Sequence, residues 1–455
     1  MTEGSPLNKI ILFAFPMLIG NIAQQLYSTV DSIVVGKYVG DNALAAVGSS
    51  APVYNLLLVL FIGVSTGSSI MVSQYFGAKD KESLAKSIGN SLSLTAVVSL
   101  IIMALSLVVV DPMLHLLGTP DSIFDWCHDY LFILLVGVAG MSYYNILSGV
   151  LRGLGDSVSA LVYLLIACGI NIALDLYFVA RLNMGVAGVA LATVIAQAVS
   201  ALCCLVKILR MTDVFHLKAS SLKMEKKYSM DIVRLGLPSG LTQAIFSMAM
   251  VMVQSLTNSF GEMVIAANVI IMRVDGFAMM PNFSFGTALT TYAGQNVGAR
   301  KYDRVDQGAK SGTLLAVGVS AVITAIILLF GNILMYAFTD TAELVDLSMR
   351  MMRILAVGYI AMAVTQCLSG IMRGAGDTVS PMWISIFTTV IIRVPLAYAI
   401  AFATRSPEMP TGNYRATFIS LLVSWLMGAL ITTIIYKRKK WKEKAIQTYG
   451  YPDEE

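Results

Sequence analysis

Asp31 and Asp175 stand inside long apolar runs, six residues before Lys37 and Arg181 respectively. A carboxylate in hydrocarbon is costly and is usually kept for function. With each basic residue marking the end of its run, both acids lie roughly 9 Å below the same boundary at 1.5 Å per helical residue. Thr193, eight residues into the next apolar run, reaches roughly 12 Å, and Asn171 sits one turn from Asp175 on the same helix face. Four oxygen-bearing side chains thus converge in the outer half of the chain's first half. Crowded carboxylates in a low dielectric hold a proton readily, and oxygen ligands also suit a hard cation such as Na+. The expected chemistry is capture and release of H+ or Na+, with both ions open; the structural alternative is a pair of hydrogen-bonded acids facing a wet cavity.

The elements that position these residues follow from composition. Of the 455 residues, 57% are hydrophobic and 13% charged, with a mean hydropathy of +0.75, which excludes a water-soluble domain. The apolar runs are long enough to cross a membrane as helices, which takes roughly 20 residues each, and they lack the alternation of a β-barrel. About twelve spans are expected, near 10–36, 43–75, 88–110, 129–151, 158–180, 185–209, 232–258, 263–293, 310–334, 349–371, 380–403 and 415–436. The first is too long and too polar, with Pro16, Asn21, Gln24, Gln25 and Asp31, to be a cleaved signal. Most lysines and arginines fall in alternate loops and in the run Lys437 to Lys444, predicting a multi-pass protein with both termini cytoplasmic, and the compact loops without a targeting sequence lead to the expectation of a bacterial inner (plasma) membrane. That run is expected to anchor the last helix at an anionic leaflet. The net charge of +4 is this topology signal and calls for no nucleic-acid partner. Five cysteines show no disulfide or zinc spacing. His115, Asp121, Asp125, His128 and Asp129 are read as a solvated acidic loop rather than a metal site.

A repeat organises the chain. Leu147-Ser-Gly-Val-Leu-Arg152-Gly-Leu-Gly-Asp156 recurs as Leu368-Ser-Gly-Ile-Met-Arg373-Gly-Ala-Gly-Asp377, and Gln74-Tyr-Phe-Gly77-Ala78-Lys79 as Gln295-Asn-Val-Gly298-Ala299-Arg300, both displaced by 221 residues. Six spans per copy give two like-oriented lobes, 1–209 and 232–455, joined by a basic cytoplasmic linker at 210–231. Two such bundles rocking about a shared cleft make a transporter rather than an enzyme. The chain contains no phosphate-binding loop, so ATP coupling within it is excluded and no cofactor is expected.

The duplicated Gln-x-x-Gly-Ala-Lys/Arg and Leu-Ser-Gly-x-x-Arg-Gly-x-Gly-Asp motifs resemble those of the multidrug and toxic compound extrusion (MATE) transporters. The resemblance implies an all-α, twelve-helix, two-lobe antiporter that expels organic cations or amphiphilic compounds in exchange for H+ or Na+. The closest pattern is that of the DinF-type and MepA-like branch, whose first helix carries a proline, a glutamine, a tyrosine and an aspartate spaced as Pro16, Gln24, Tyr27 and Asp31; Asn171, Asp175 and Thr193 fit the same branch. There, protonation of the aspartates is linked to bending of the first helix near its proline, which makes Pro16 the expected hinge.

The repeat supplies a control. A shift of 221 or 222 residues sets Met252 or Val253 opposite Asp31 and Leu396 or Ala397 opposite Asp175, so the ion site belongs to one lobe. In the second lobe Asp275 offers a further site, or an ion pair with Arg273 or Arg393. Acids expected of a NorM-type site in the seventh and tenth spans are replaced there by Gln243, Gln254 and Gln366. Met141, Tyr144, Met248, Met252, Met280 and Phe283 are candidate cavity residues, since thioethers and aromatic faces suit varied flat cations. Arg152 and Arg373 are read as helix-end groups that bond carbonyls or carboxylates near an inner gate. A monomer in contact with membrane lipids is expected. The rival reading is a lipid-linked oligosaccharide flippase of the same superfamily; a passive channel or receptor fits the paired gate motifs less well.

Overall fold

With no water in a bilayer core, backbone polar groups are satisfied by helices or closed barrels, and this chain takes the helical solution. The computed structural model describes residues 1–116 and 119–450, with all their side chains except those of 51, 52, 56, 57 and 60; residues 451–455, assigned above to the C-lobe, lie outside it. The helices are α1 (Pro6–Tyr38), α2 (Asp41–Gly77), α3 (Lys81–Leu116), α4 (Asp121–Val136), α5 (Val138–Gly153), α6 (Ser157–Asp175), α7 (Gly185–Leu209), α8 (Lys226–Asn258), α9 (Glu262–Gly298), α10 (Tyr302–Tyr336), α11 (Ala342–Leu355), α12 (Gly358–Gly374), α13 (Val379–Ile386), α14 (Val394–Ala403), α15 (Arg415–Lys437) and α16 (Lys440–Tyr449). Two π-helical stretches, Leu176–Arg181 and Phe387–Arg393, continue α6 and join α13 to α14.

Nine helices or continuous helical runs among the described residues are long and apolar enough to cross a membrane, and two bent pairs complete one crossing each. The 37-residue α2 is long enough to be a twelfth. The fourth and tenth spans are bent, by 51° between α4 and α5 and by 45° between α11 and α12. Gly137 marks the first bend, where a Cβ would lie 2.4 Å from Val194. The expected acidic loop is helical too: His115 ends α3, and Asp121, Asp125, His128 and Asp129 lie in α4. Ile123, Cys127, Leu131 and Leu135 recur at four-residue spacing and are buried in one cluster, leaving the polar side chains to the opposite face.

The chain divides into two units, Phe15–Gly240 and Met1–Ala14 with Leu241–Glu455, called here the N-lobe and C-lobe. Helices α1 and α8 each begin in one unit and continue in the other. Both change units within two residues of a proline, Pro16 or Pro238, which removes a helical donor at that point. Residues 210–225 pack inside the N-lobe: Ser221 O would lie 2.0 Å from a Cβ on Gly89, and Asn90 Oδ1 accepts from Glu225 N at 2.7 Å.

The repeated motifs build the same turn twice. Gly155 and Gly376 adopt φ of 91° and 92°, a region open to glycine, and their N–H groups donate to Arg152 O and Arg373 O at 2.9 Å. Asp156 and Asp377 then cap the next helix, accepting from Ser159 N at 2.9 Å and Ser380 N at 3.4 Å, and from both serine hydroxyls at 2.6 Å. The run Lys437 to Lys444 is not free for lipid throughout. Lys439, Lys442 and Lys444 pair with Asp306, Asp303 and Asp377 at 3.2, 3.4 and 2.7 Å, docking α16 on the C-lobe with Trp441 buried.

Candidate functional site

Four helices of the N-lobe build one polar cluster in an otherwise apolar interior. Tyr27 and Asp31 lie one turn apart on α1, and Asn171 and Asp175 one turn apart on α6; the latter pair is fully buried. Tyr27 Oη lies 3.2 Å from Thr193 Oγ1 of α7, which also accepts from Asn171 Nδ2 at 3.3 Å and donates to Val189 O at 3.0 Å. This network holds the amide and both hydroxyls in place.

The acids are left over. Asp31 and Asp175 are neighbours that act on one another, and among the described residues no basic side chain is paired with either. Both oxygens of Asp175, one of Asp31 and Oδ1 of Asn171 are buried without a hydrogen-bond partner. Buried acceptors are normally satisfied, so the pocket has an unmet demand for positive charge. Asp175 is also the last residue before the π-helical stretch, a wider helix form common at functional sites.

Tyr130 was not anticipated. It lies on α4 near enough to feel the charge of the same two acids and packs beside Val34, Val35 and Val179. The polar residues His128 and Asp129 beside it placed this stretch at the edge of a loop, although the spacing of Ile123, Cys127 and Leu131 carries a helix signal. Gln24 stands apart from the acids. With Pro16, Met141, Tyr144 and Arg152 it lines a separate cavity of about 100 Å³ toward the basic end of the N-lobe.

In the C-lobe, Asp275 and Arg393 face a cavity of about 280 Å³ walled by Phe246, Met250, Phe283 and Trp425, with Gln254 and Asn268 as further polar groups. Arg393 and Tyr359 act on Asp275. Even so, one Asp275 oxygen and Arg393 Nε are buried without hydrogen-bond partners, so the two charges share the cavity without a regular ion-pair bond. Arg273 does not join them: two residues from Asp275, it projects from the other side of α9 and is exposed. The candidate cavity residues are therefore dispersed. Met141 and Tyr144 line the N-lobe cavity and Phe283 the C-lobe cavity, Met280 is buried in packing, and Met248 and Met252 are 65% and 48% exposed.

The sequence matches the MatE family twice, over residues 16–177 and 238–399. It is 29% identical over 444 residues to the probable multidrug resistance protein YoeA of Bacillus subtilis (strain 168), covering 96% of this chain and 94% of that one. It is 27% identical over 447 residues to the probable multidrug resistance protein YpnP of the same organism, covering 98% of each. A solved multidrug resistance MATE family transporter of the MOP superfamily, in its outward-facing conformation, superimposes with a TM-score of 0.89 at 26% identity over 97% of both chains. Twelve helical spans, a duplicated domain and a buried polar cluster in one lobe are thus found in a chain that belongs to the MatE family of multidrug efflux transporters, membrane proteins that move small molecules rather than transform them.

Proposed function

We propose that the chain is a secondary antiporter that expels organic cations or amphiphilic compounds in exchange for H+ or Na+ taken up in the N-lobe. The observation that carries this reading is the set of donor-less buried oxygens on Asp31, Asp175 and Asn171. Two adjacent carboxyl groups are suited to sharing one proton. The same oxygens, with the hydroxyls of Tyr27 and Thr193, are suited to Na+. Uptake of either ion removes the charge repulsion between α1 and α6, and α1 is the helix that carries Pro16. Binding is thereby linked to the helix best placed to bend.

The C-lobe cavity supports the substrate half of the reading. Its volume is near the lower end for small-molecule sites, its walls are aromatic and thioether, and Asp275 supplies a negative charge for a cationic nitrogen. The names of YoeA and YpnP, probable multidrug resistance proteins, point to drug-like small molecules as the cargo. The positions of the basic residues support a plasma-membrane protein with both termini in the cytoplasm.

The test is efflux of a fluorescent organic cation from proteoliposomes under separately imposed H+ and Na+ gradients. Transport driven by one gradient identifies the coupling ion. Transport under neither gradient overturns the antiporter reading and shifts the assay to lipid-linked oligosaccharides, the cargo of the rival flippase.

A further inference from the structure

The N-lobe cavity toward the basic end has the opposite electrostatic demand from the acid cluster. Arg152, the motif arginine of α5, is half-buried and lines this cavity. Its one directed bond is from Nη1 to Ser148 Oγ at 3.2 Å. The acid nearest in sequence is already engaged, because Asp156 caps Ser159 and stands 4.0 Å from Lys207. Among the described residues no carboxylate pairs with this half-buried guanidinium, so its remaining N–H donors face the cavity. Across the same cavity, Gln197 Oε1 is buried without a hydrogen-bond partner.

We propose that this cavity is a binding site for a small oxyanion, held by Arg152 and Gln197. The fork of the guanidinium matches the two oxygens of a carboxylate or phosphate. The side-chain amide of Gln197 meets either the hydroxyl of a protonated phosphate or, turned about its last bond, a second anionic oxygen. A volume of about 100 Å³ suits a small occupant: a free inorganic anion, or the acidic group of a larger cargo entering from one side. The repeat sharpens the assignment, because Arg373 occupies the same motif position in the C-lobe and lines none of the cavities described.

The experiment measures binding, so it stands apart from the coupling mechanism. Inorganic phosphate and acetate are titrated against the purified full-length protein in nanodiscs at constant ionic strength, with thermal unfolding as the readout. Wild type, Arg152→Gln, Arg152→Lys and Gln197→Leu are compared. In a parallel arm, binding of a carboxylate-bearing organic cation is compared with that of its methyl ester. A saturable rise in unfolding temperature with phosphate or acetate, weakened about 10-fold or more in Arg152→Gln and partly kept in Arg152→Lys, identifies a free-anion site. A preference for the acid over its ester that disappears in Arg152→Gln identifies the cargo's acidic group as the occupant. No anion-dependent shift and no acid-over-ester preference in folded wild type overturns the proposal, as does an unchanged response in Arg152→Gln.

Discussion

Where the N-lobe gathers Tyr27, Asp31, Asn171 and Asp175, the C-lobe places Ala249, Val253, Arg393 and Ala397, taking the 222-residue offset between the starts and ends of the two family domains. Ala249 and Val253 pack with Val394, and Ala397 packs with Leu256 and Ala401. The helix-end motifs are retained in both copies down to the bond from serine to the capping aspartate, whereas the interior has changed sign. Duplication has thus preserved the scaffold and freed the two interiors to diverge. One now offers unpaired acceptors, and the other an arginine facing a single aspartate.

The largest expected effect comes from neutralising the acids. Asp31→Asn and Asp175→Asn should each reduce gradient-driven efflux to the passive leak, while Asp275→Asn should slow it by at most about 10-fold, the ~1.4 kcal/mol of one lost charge contact. Equal losses at all three positions would erase the distinction between lobes. Next comes the reverse exchange: Val253→Asp inserts a carboxylate into the Ala249–Val394 packing and should cost roughly 3–5 kcal/mol of stability, read as a large fall in unfolding temperature. If that variant is as stable as wild type, the C-lobe interior is wetter than its packing indicates.

Smaller effects sharpen the comparison. Arg393→Leu should destabilise the C-lobe by about 3 kcal/mol by leaving Asp275 alone in its cavity. Adding Asp275→Leu should recover much of that loss, and a double-mutant cycle on unfolding in detergent measures the coupling. The two capping aspartates differ as well. Asp377 is 1% exposed and holds Lys444 at 2.7 Å, whereas Asp156 is only partly buried and 4.0 Å from Lys207. Lys444→Ala should therefore cost about 1–2 kcal/mol, and Lys207→Ala less than about 0.5 kcal/mol, by the same assay.

Much of this comparison is legible in the sequence. Hydrophobic runs mark the spans, the motif repeat marks the duplication, and acids six residues from a basic residue mark Asp31 and Asp175. What escapes is set by local backbone geometry. The offset is 221 residues at the motif aspartates and 222 at the ends of the two family domains, so one residue is added in the segment that holds the π-helical stretch Phe387–Arg393; hydrophobic periodicity does not register such a change. The bend at Gly137 lies where Val194, a residue far away in sequence, leaves no room for a Cβ. Arg273 and Arg393 read alike as charges in apolar runs, but only helix rotation determines which one shares a cavity with Asp275. Gln24 and Tyr27 lie one turn apart, yet a single turn separates the small cavity from the acid cluster.

The most direct test of the central claim measures two modes of transport on the same proteoliposomes: uphill efflux driven by an ion gradient, and exchange of labelled for unlabelled substrate at equilibrium. The account predicts that Asp31→Asn loses uphill efflux and keeps exchange, because substrate binding survives while the coupling ion no longer has a site. Uphill efflux at the wild-type rate in Asp31→Asn would contradict it.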